Sequence, residues 1–140
     1  MGTLVRLACR FAPPTSAEDI VQEALLRAWR HRSKFDASKG SYQGWLCAIV
    51  ANEARRYLQK ARLPIVLNGR PEYEASDLSI DLSRALARLA PRQRLAVDCF
   101  YFVGLTIAET ARVMGCSEGT VKSTLADARG KLRKTLEARS

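Results

Sequence analysis

LTIAETARVMGCSEGTVKSTLADARGKL, residues Leu105–Leu132, decides the fold. Thr106 and Glu109 stand three apart, a capping-box spacing that satisfies the free amides of a helix start. Ile107, Ala108, Ala111 and Met114 then share one face. Gly115 suits the left-handed residue that stops a helix, and Ser117 suits the cap of the next one. Beyond it, Val121, Leu125, Ala128 and Leu132 recur at helical spacing, leaving Ser117, Glu118, Gly119, Thr120, Lys122 and Ser123 at the polar, exposed beginning. This is helix-turn-helix spacing, in which the second helix enters the major groove with its first residues at base edges. Two competing readings fit less well. A phosphate-binding loop needs lysine directly after its last glycine and a strand before it, whereas here Thr120 and Val121 intervene and a helix precedes. A plain helical hairpin with a solvated end is the other alternative.

Working outward, LSRALARLAPRQRLAVDCFYFVG (82–104) carries two more apolar stripes, Leu82, Ala85, Leu86 and Leu89, then Leu95, Ala96, Cys99 and Val103. Pro91 fits a first helical position and Gly104 a helix end. Arg92 and Arg94, beside a helix start, are candidate phosphate contacts. Further upstream, LPIVLNGRPEYEASDLSI (63–80) holds two prolines, an Asn-Gly pair and a net charge of −2, with no steady period. It reads as a flexible acidic linker.

TSAEDIVQEALLRAWRHR (15–32) is a helix with Thr15 and Glu18 at capping-box spacing and arginines at its end. Ile20, Val21, Ala24, Leu25 and Ala28 form its inner face, and Asp19, Gln22, Glu23 and Leu26 a neighbouring one. In KFDASKGSYQGWLCAIVANEARRYLQKAR (34–62), a glycine-bearing loop leads into a long helix. Leu46, Val50, Ala54 and Tyr57 share one side, while Trp45, Asn52, Arg55, Arg56 and Gln59 gather on another. An aromatic ring and an amide among arginines suit unpaired bases, which stack on rings while cations hold the backbone.

Strand signals are nearly absent, so the expected fold is all-α: two small helical domains, residues 1–62 and 81–140, joined by the linker and with a helix-turn-helix in the second. The 140 residues carry a formal charge of +9, which favours a polyanionic partner. The longest apolar run, Trp45–Ala51, is far short of the roughly 20 residues of a membrane span, so no membrane insertion and a cytoplasmic location are expected. Cys9, Cys47, Cys99 and Cys116 are scattered, and His31 is the lone histidine, so neither a metal site nor a disulfide framework is read. An enzyme acting on DNA would need clustered carboxylates or ligands that the sequence does not display.

Taken in order, AEDIVQEALLRAW, GWLCAIVANEARR and LAPRQRLAVDCFYFVGLTIAETARVMGCSEGTVKSTLADARGKLR resemble the extracytoplasmic-function sigma factors of bacterial RNA polymerase. The resemblance runs from about Leu4 to Arg133 and is weakest in the linker. It implies that Asp19, Gln22, Glu23 and Leu26 face core RNA polymerase. It assigns Lys39, Ser41, Tyr42, Trp45, Asn52, Arg55 and Arg56 to the melted minus-ten strand of promoter DNA, with the loop from Asp36 to Gly44 holding a flipped base. Arg92, Arg94 and the stretch Ser117–Ser123 fall to the minus-thirty-five duplex. The linker matches a segment that threads toward the polymerase active centre, and an anti-sigma factor is a further expected partner. No catalysis and no cofactor are implied. Arg56 stands where the family often has aspartate, and Thr124 and Asp127 where it often has arginine. The first helix looks short for the family. The competing reading is a helix-turn-helix regulator that binds duplex DNA without polymerase.

Overall fold

The computed structural model describes residues 2–62 and 80–138 and is helical, with no strand among the described residues. The elements are α1 (Gly2–Phe11), α2 (Pro14–Arg30), α3 (Tyr42–Lys60), α4 (Ile80–Ala87), α5 (Pro91–Val97), α6 (Ile107–Met114) and α7 (Glu118–Glu137). Short 3-10 turns, Arg32–Lys34 and Ala37–Lys39, lie between α2 and α3. The stretch read as an acidic linker lies outside the described residues, apart from Ile80, which opens α4.

Local chemistry explains most boundaries. At α6, Thr106 Oγ1 accepts the Glu109 amide at 3.1 Å and the Glu109 carboxylate accepts the Thr106 amide at 2.9 Å, the reciprocal pair expected from the spacing. Gly115 ends α6 at φ +70°, in the left-handed region where a side chain is strained, and Ser117 caps α7 by accepting the Thr120 amide. Pro91 opens α5, aided by the Gln93 side-chain oxygen, which accepts the Ala90 amide at 3.0 Å. After Val97 the helix widens into a π-type segment, Asp98–Val103, stopped at Gly104 with φ +85°.

The start of α2 differs from expectation. Its first residue is Pro14 and its cap is Pro13, with no side-chain cap, so Thr15 lies inside the first turn and does not cap the helix. Proline at the first position needs no amide partner, and that local advantage places the cap two residues earlier.

α1, α2 and α3 pack on one another, and α4, α5 and α6 pack around α7. These two groups meet where α3 lies on α6, and one hydrophobic cluster runs through both, from Leu4, Val21 and Val50 to Val113, Val121 and Leu125. Burial of each such side chain contributes about 1.5–3 kcal/mol. The two helical groups expected from the sequence are thus in contact with each other through this cluster.

Two charged clusters are sealed into this core. Asp98 pairs with Arg10 from α1 and, at 3.0 Å, with Arg94, and all three side chains are buried. Glu53 of α3, also buried, pairs with Arg27 of α2. Cys47 and Cys99 are free, buried thiols; burial, with the Glu109 charge adding, pushes the Cys47 pKa up to about 11. Among the described residues, no helix is long and apolar enough to cross a membrane.

Candidate nucleic-acid interface

Three surfaces collect the residues singled out from the sequence. The first is the open end of α7. Val121, Leu125 and Ala128 are buried, which turns Ser117, Glu118, Gly119, Thr120, Lys122 and Ser123 to solvent. Several hydroxyls there are engaged locally. Ser117 Oγ lies 2.9 Å from Thr120 Oγ1, and Ser123 Oγ donates to the Thr120 carbonyl at 3.0 Å. Lys122 and Glu118 project without such a bond, so Lys122 is the cation best placed to meet a phosphate or a base edge. Arg92 is exposed at the start of α5. Arg94 is not: it is 2% exposed and bound to Asp98, which removes it from the set of candidate phosphate contacts. Docking accounts for this, because Arg94 stands four residues before the buried Asp98 and turns its guanidinium inward to that carboxylate.

The second surface surrounds the start of α3. Asp36 accepts the Ser38 amide at 2.9 Å and the Ser38 hydroxyl at 2.6 Å, bonds that hold its carboxyl below the usual range and fix the turn before Gly40. Ser41 caps α3, accepting the Gly44 amide at 3.0 Å. Tyr42, Trp45 and Phe35 form a ring cluster with centroids 5.3–5.6 Å apart. Tyr42 is 53% exposed and Trp45 half-buried, so one ring is presented while the others brace it. Phe35 was missed by the sequence reading, because its position in a turn gives it no periodic signal. Lys39, Asn52 and Arg56 are exposed, and Arg56 stands 3.7 Å from Glu53.

Two members of that set are bonded to α6. Arg55 donates to the Val113 carbonyl of α6 at 2.7 Å, beside the Phe11 ring and the turn at Gly115. Burial, with Arg92 nearby, lowers its pKa from the ordinary arginine value. Ser41 gives both its amide and its hydroxyl to Glu109, each at 2.7 Å. Tyr57 is exposed and its hydroxyl accepts from Ser16 at 2.7 Å.

The third surface lies on α2, where Asp19, Gln22, Glu23 and Leu26 are all exposed. Trp29 extends it, 67% exposed with the Arg32 guanidinium 4.1 Å over its ring. The spacing of Gln22, Leu26 and Trp29, i, i+4 and i+7, is the signal that would have found it.

With this geometry in place, comparison with known proteins adds lineage. Residues 1–63 match the family model of sigma-70 region 2, and residues 79–132 that of sigma-70, region 4. The ECF RNA polymerase sigma factor SigM of Mycobacterium tuberculosis is 37% identical over 141 residues, covering 95% of this chain and 69% of the relative. SigL of the same species is 34% identical, covering 86% and 75%. Among solved structures, the sigma factor RpoE in complex with the anti-sigma factor NepR from Bartonella quintana aligns with a TM-score of 0.65 at 26% identity, over 97% of this chain and 91% of that one. CnrH in complex with the cytosolic domain of CnrY aligns at 0.56 with 23% identity, over 99% and 81%, a likeness of fold.

Proposed function

The chain belongs to the extracytoplasmic-function sigma factors, and on that premise we propose how its surfaces share the work. It binds core RNA polymerase and directs promoter-specific initiation in the cytoplasm, and the catalysis is the polymerase's own. Residues 1–62 bind the polymerase through Asp19, Gln22, Glu23, Leu26 and Trp29, an acidic and apolar helix face with an exposed aromatic anchor. The same segment engages the melted minus-ten strand through Lys39, Ser41, Tyr42, Trp45, Asn52, Arg55 and Arg56. Rings that stack on extruded bases and cations that hold the backbone are what such a strand requires.

Residues 81–140 read the minus-thirty-five duplex, with Lys122 as the principal cation and Ser117–Ser123 at the groove. Arg92 adds a phosphate contact. An anti-sigma factor is a further partner, in keeping with the complex formed by the Bartonella quintana relative. The observation that carries the reading is the exposed polar start of α7, Ser117–Thr120 with Lys122 and Ser123, in a chain that aligns with sigma factors along nearly its whole length.

The test is run-off transcription from a promoter library with core polymerase, alone and with this protein. Promoter-specific transcripts only in the supplemented reaction support the reading. Tight duplex binding with no polymerase association would replace it with a polymerase-independent regulator.

A further inference from the structure

From the contact between α6 and α3 we infer that Glu109 is an intramolecular latch, holding the free protein in a closed form in which Ser41 and Arg55 of its minus-ten surface are engaged by α6 and withheld from DNA. The inference rests on the reading of that surface given above, and it adds the regulation of the site.

Glu109 is 2% exposed and serves two helix starts at once. One carboxylate oxygen, Oε1, accepts the Thr106 amide in its own capping box. The other, Oε2, accepts the Ser41 amide and the Ser41 hydroxyl. A carboxylate at the positive end of a helix is favourable, and both ends bid for the same group. The seat is shaped for it. At Gly40 and Gly44 any Cβ would run into the Glu109 side chain, and Gly40, at φ +151°, is in a conformation that only glycine takes easily.

The same closure consumes Arg55, whose guanidinium is spent on the Val113 carbonyl and packed against the turn at Gly115. Ser41 therefore has its amide and its hydroxyl, and Arg55 its shortest hydrogen bond, committed to α6. Promoter geometry forbids keeping that arrangement. Elements centred about 25 base pairs apart are separated by ~85 Å at about 3.4 Å per base pair, whereas here the two DNA-reading surfaces abut. The closed form also sets Arg55 near Arg92, a like-charge approach that a polyanion would relieve. Opening thus frees Ser41 and Arg55 together, and loading onto DNA and polymerase selects the open form.

The latch is tested from both sides in the full-length chain without polymerase, so that its failure is separable from failure of the sigma-factor reading. Gly44→Ala places a methyl group where Glu109 sits while favouring helix at α3. Glu109→Gln removes the charge and leaves the minus-ten surface untouched. Amide exchange at Ser41 by NMR, radius of gyration by X-ray scattering, helicity by circular dichroism, and affinity for a fluorescent single-stranded DNA 12-mer are measured for each. Wild type is expected to protect Ser41 and to scatter as a compact particle of about 14 Å radius of gyration. Each variant should exchange Ser41 at least tenfold faster, scatter as a larger particle at unchanged helicity, and, for Glu109→Gln, bind the oligonucleotide several-fold more tightly. Ser41 protection equal to wild type in both folded variants overturns the latch. So does deprotection with no gain in single-stranded DNA affinity for Glu109→Gln.

Discussion

Glu109 and Ser41, 68 residues apart in sequence, meet through two hydrogen bonds of 2.7 Å that join the start of α6 to the start of α3. Around that junction the hydrophobic cluster is continuous, and a second polar link, Arg10 with Asp98, crosses between the same helical groups. The junction between the two helical groups is therefore held by a continuous hydrophobic cluster and by these polar links.

Acid should weaken it. Burial raises the Glu109 pKa, but bonds from the Ser41 hydroxyl and from the Thr106 and Ser41 amides outweigh burial and leave it below the usual carboxylate value. A group depressed in the folded state contributes stability that is fully present above its unfolded pKa, about 4.3, and is lost as pH falls through the folded value. Facing Glu109 from α3 is the Cys47 thiol, neutral throughout that range. Urea midpoints recorded from pH 7 to pH 3 should fall below about pH 4.5 and fall less in Glu109→Gln.

Asp98→Ala should be among the most damaging single changes, because it leaves Arg10 and Arg94 buried without their shared carboxylate. The expected cost is about 3–5 kcal/mol, measured by chemical denaturation. A loss under 1 kcal/mol would mean that water or another acceptor reaches both guanidinium groups.

On α2, Trp29→Ala should leave thermal stability nearly unchanged, since the ring is mostly exposed, with the Arg32 guanidinium over it. Affinity for core polymerase should fall about 30-fold, corresponding to roughly 2 kcal/mol for an aromatic anchor. Equal affinity in a competition assay would remove Trp29 from that surface.

Lys122→Ala should weaken binding to minus-thirty-five duplex and reduce the slope of log K against log salt by about 1, the signature of one lost phosphate contact. An unchanged slope with altered sequence preference would instead mark Lys122 as a base reader.

Trp45→Ala is expected to spare duplex binding and impair promoter opening, scored by permanganate reactivity of unpaired thymines. Half-buried against Phe35 and Tyr42, the ring also supports its neighbours, so a stability loss on the order of 1–2 kcal/mol should accompany the defect. Loss of helicity in the variant would make Trp45 a core residue first.

Local chemistry was legible in the residues alone. The capping box at Thr106 and Glu109, the left-handed Gly115 and the Ser117 cap each depend on neighbours within a few positions, so spacing was enough to place α6, α7 and the exposed tip between them. The face of Asp19, Gln22, Glu23 and Leu26 followed from the same periodicity. Tertiary structure alone decided that Arg94 and Glu53 are buried, that Arg55 turns to a carbonyl of the other helical group, and that Glu109 serves a second helix. Those outcomes come from pairing groups many residues apart. A periodic pattern reports only that a position faces inward or outward, whereas the partner that makes a buried charge tolerable is chosen when the helices dock.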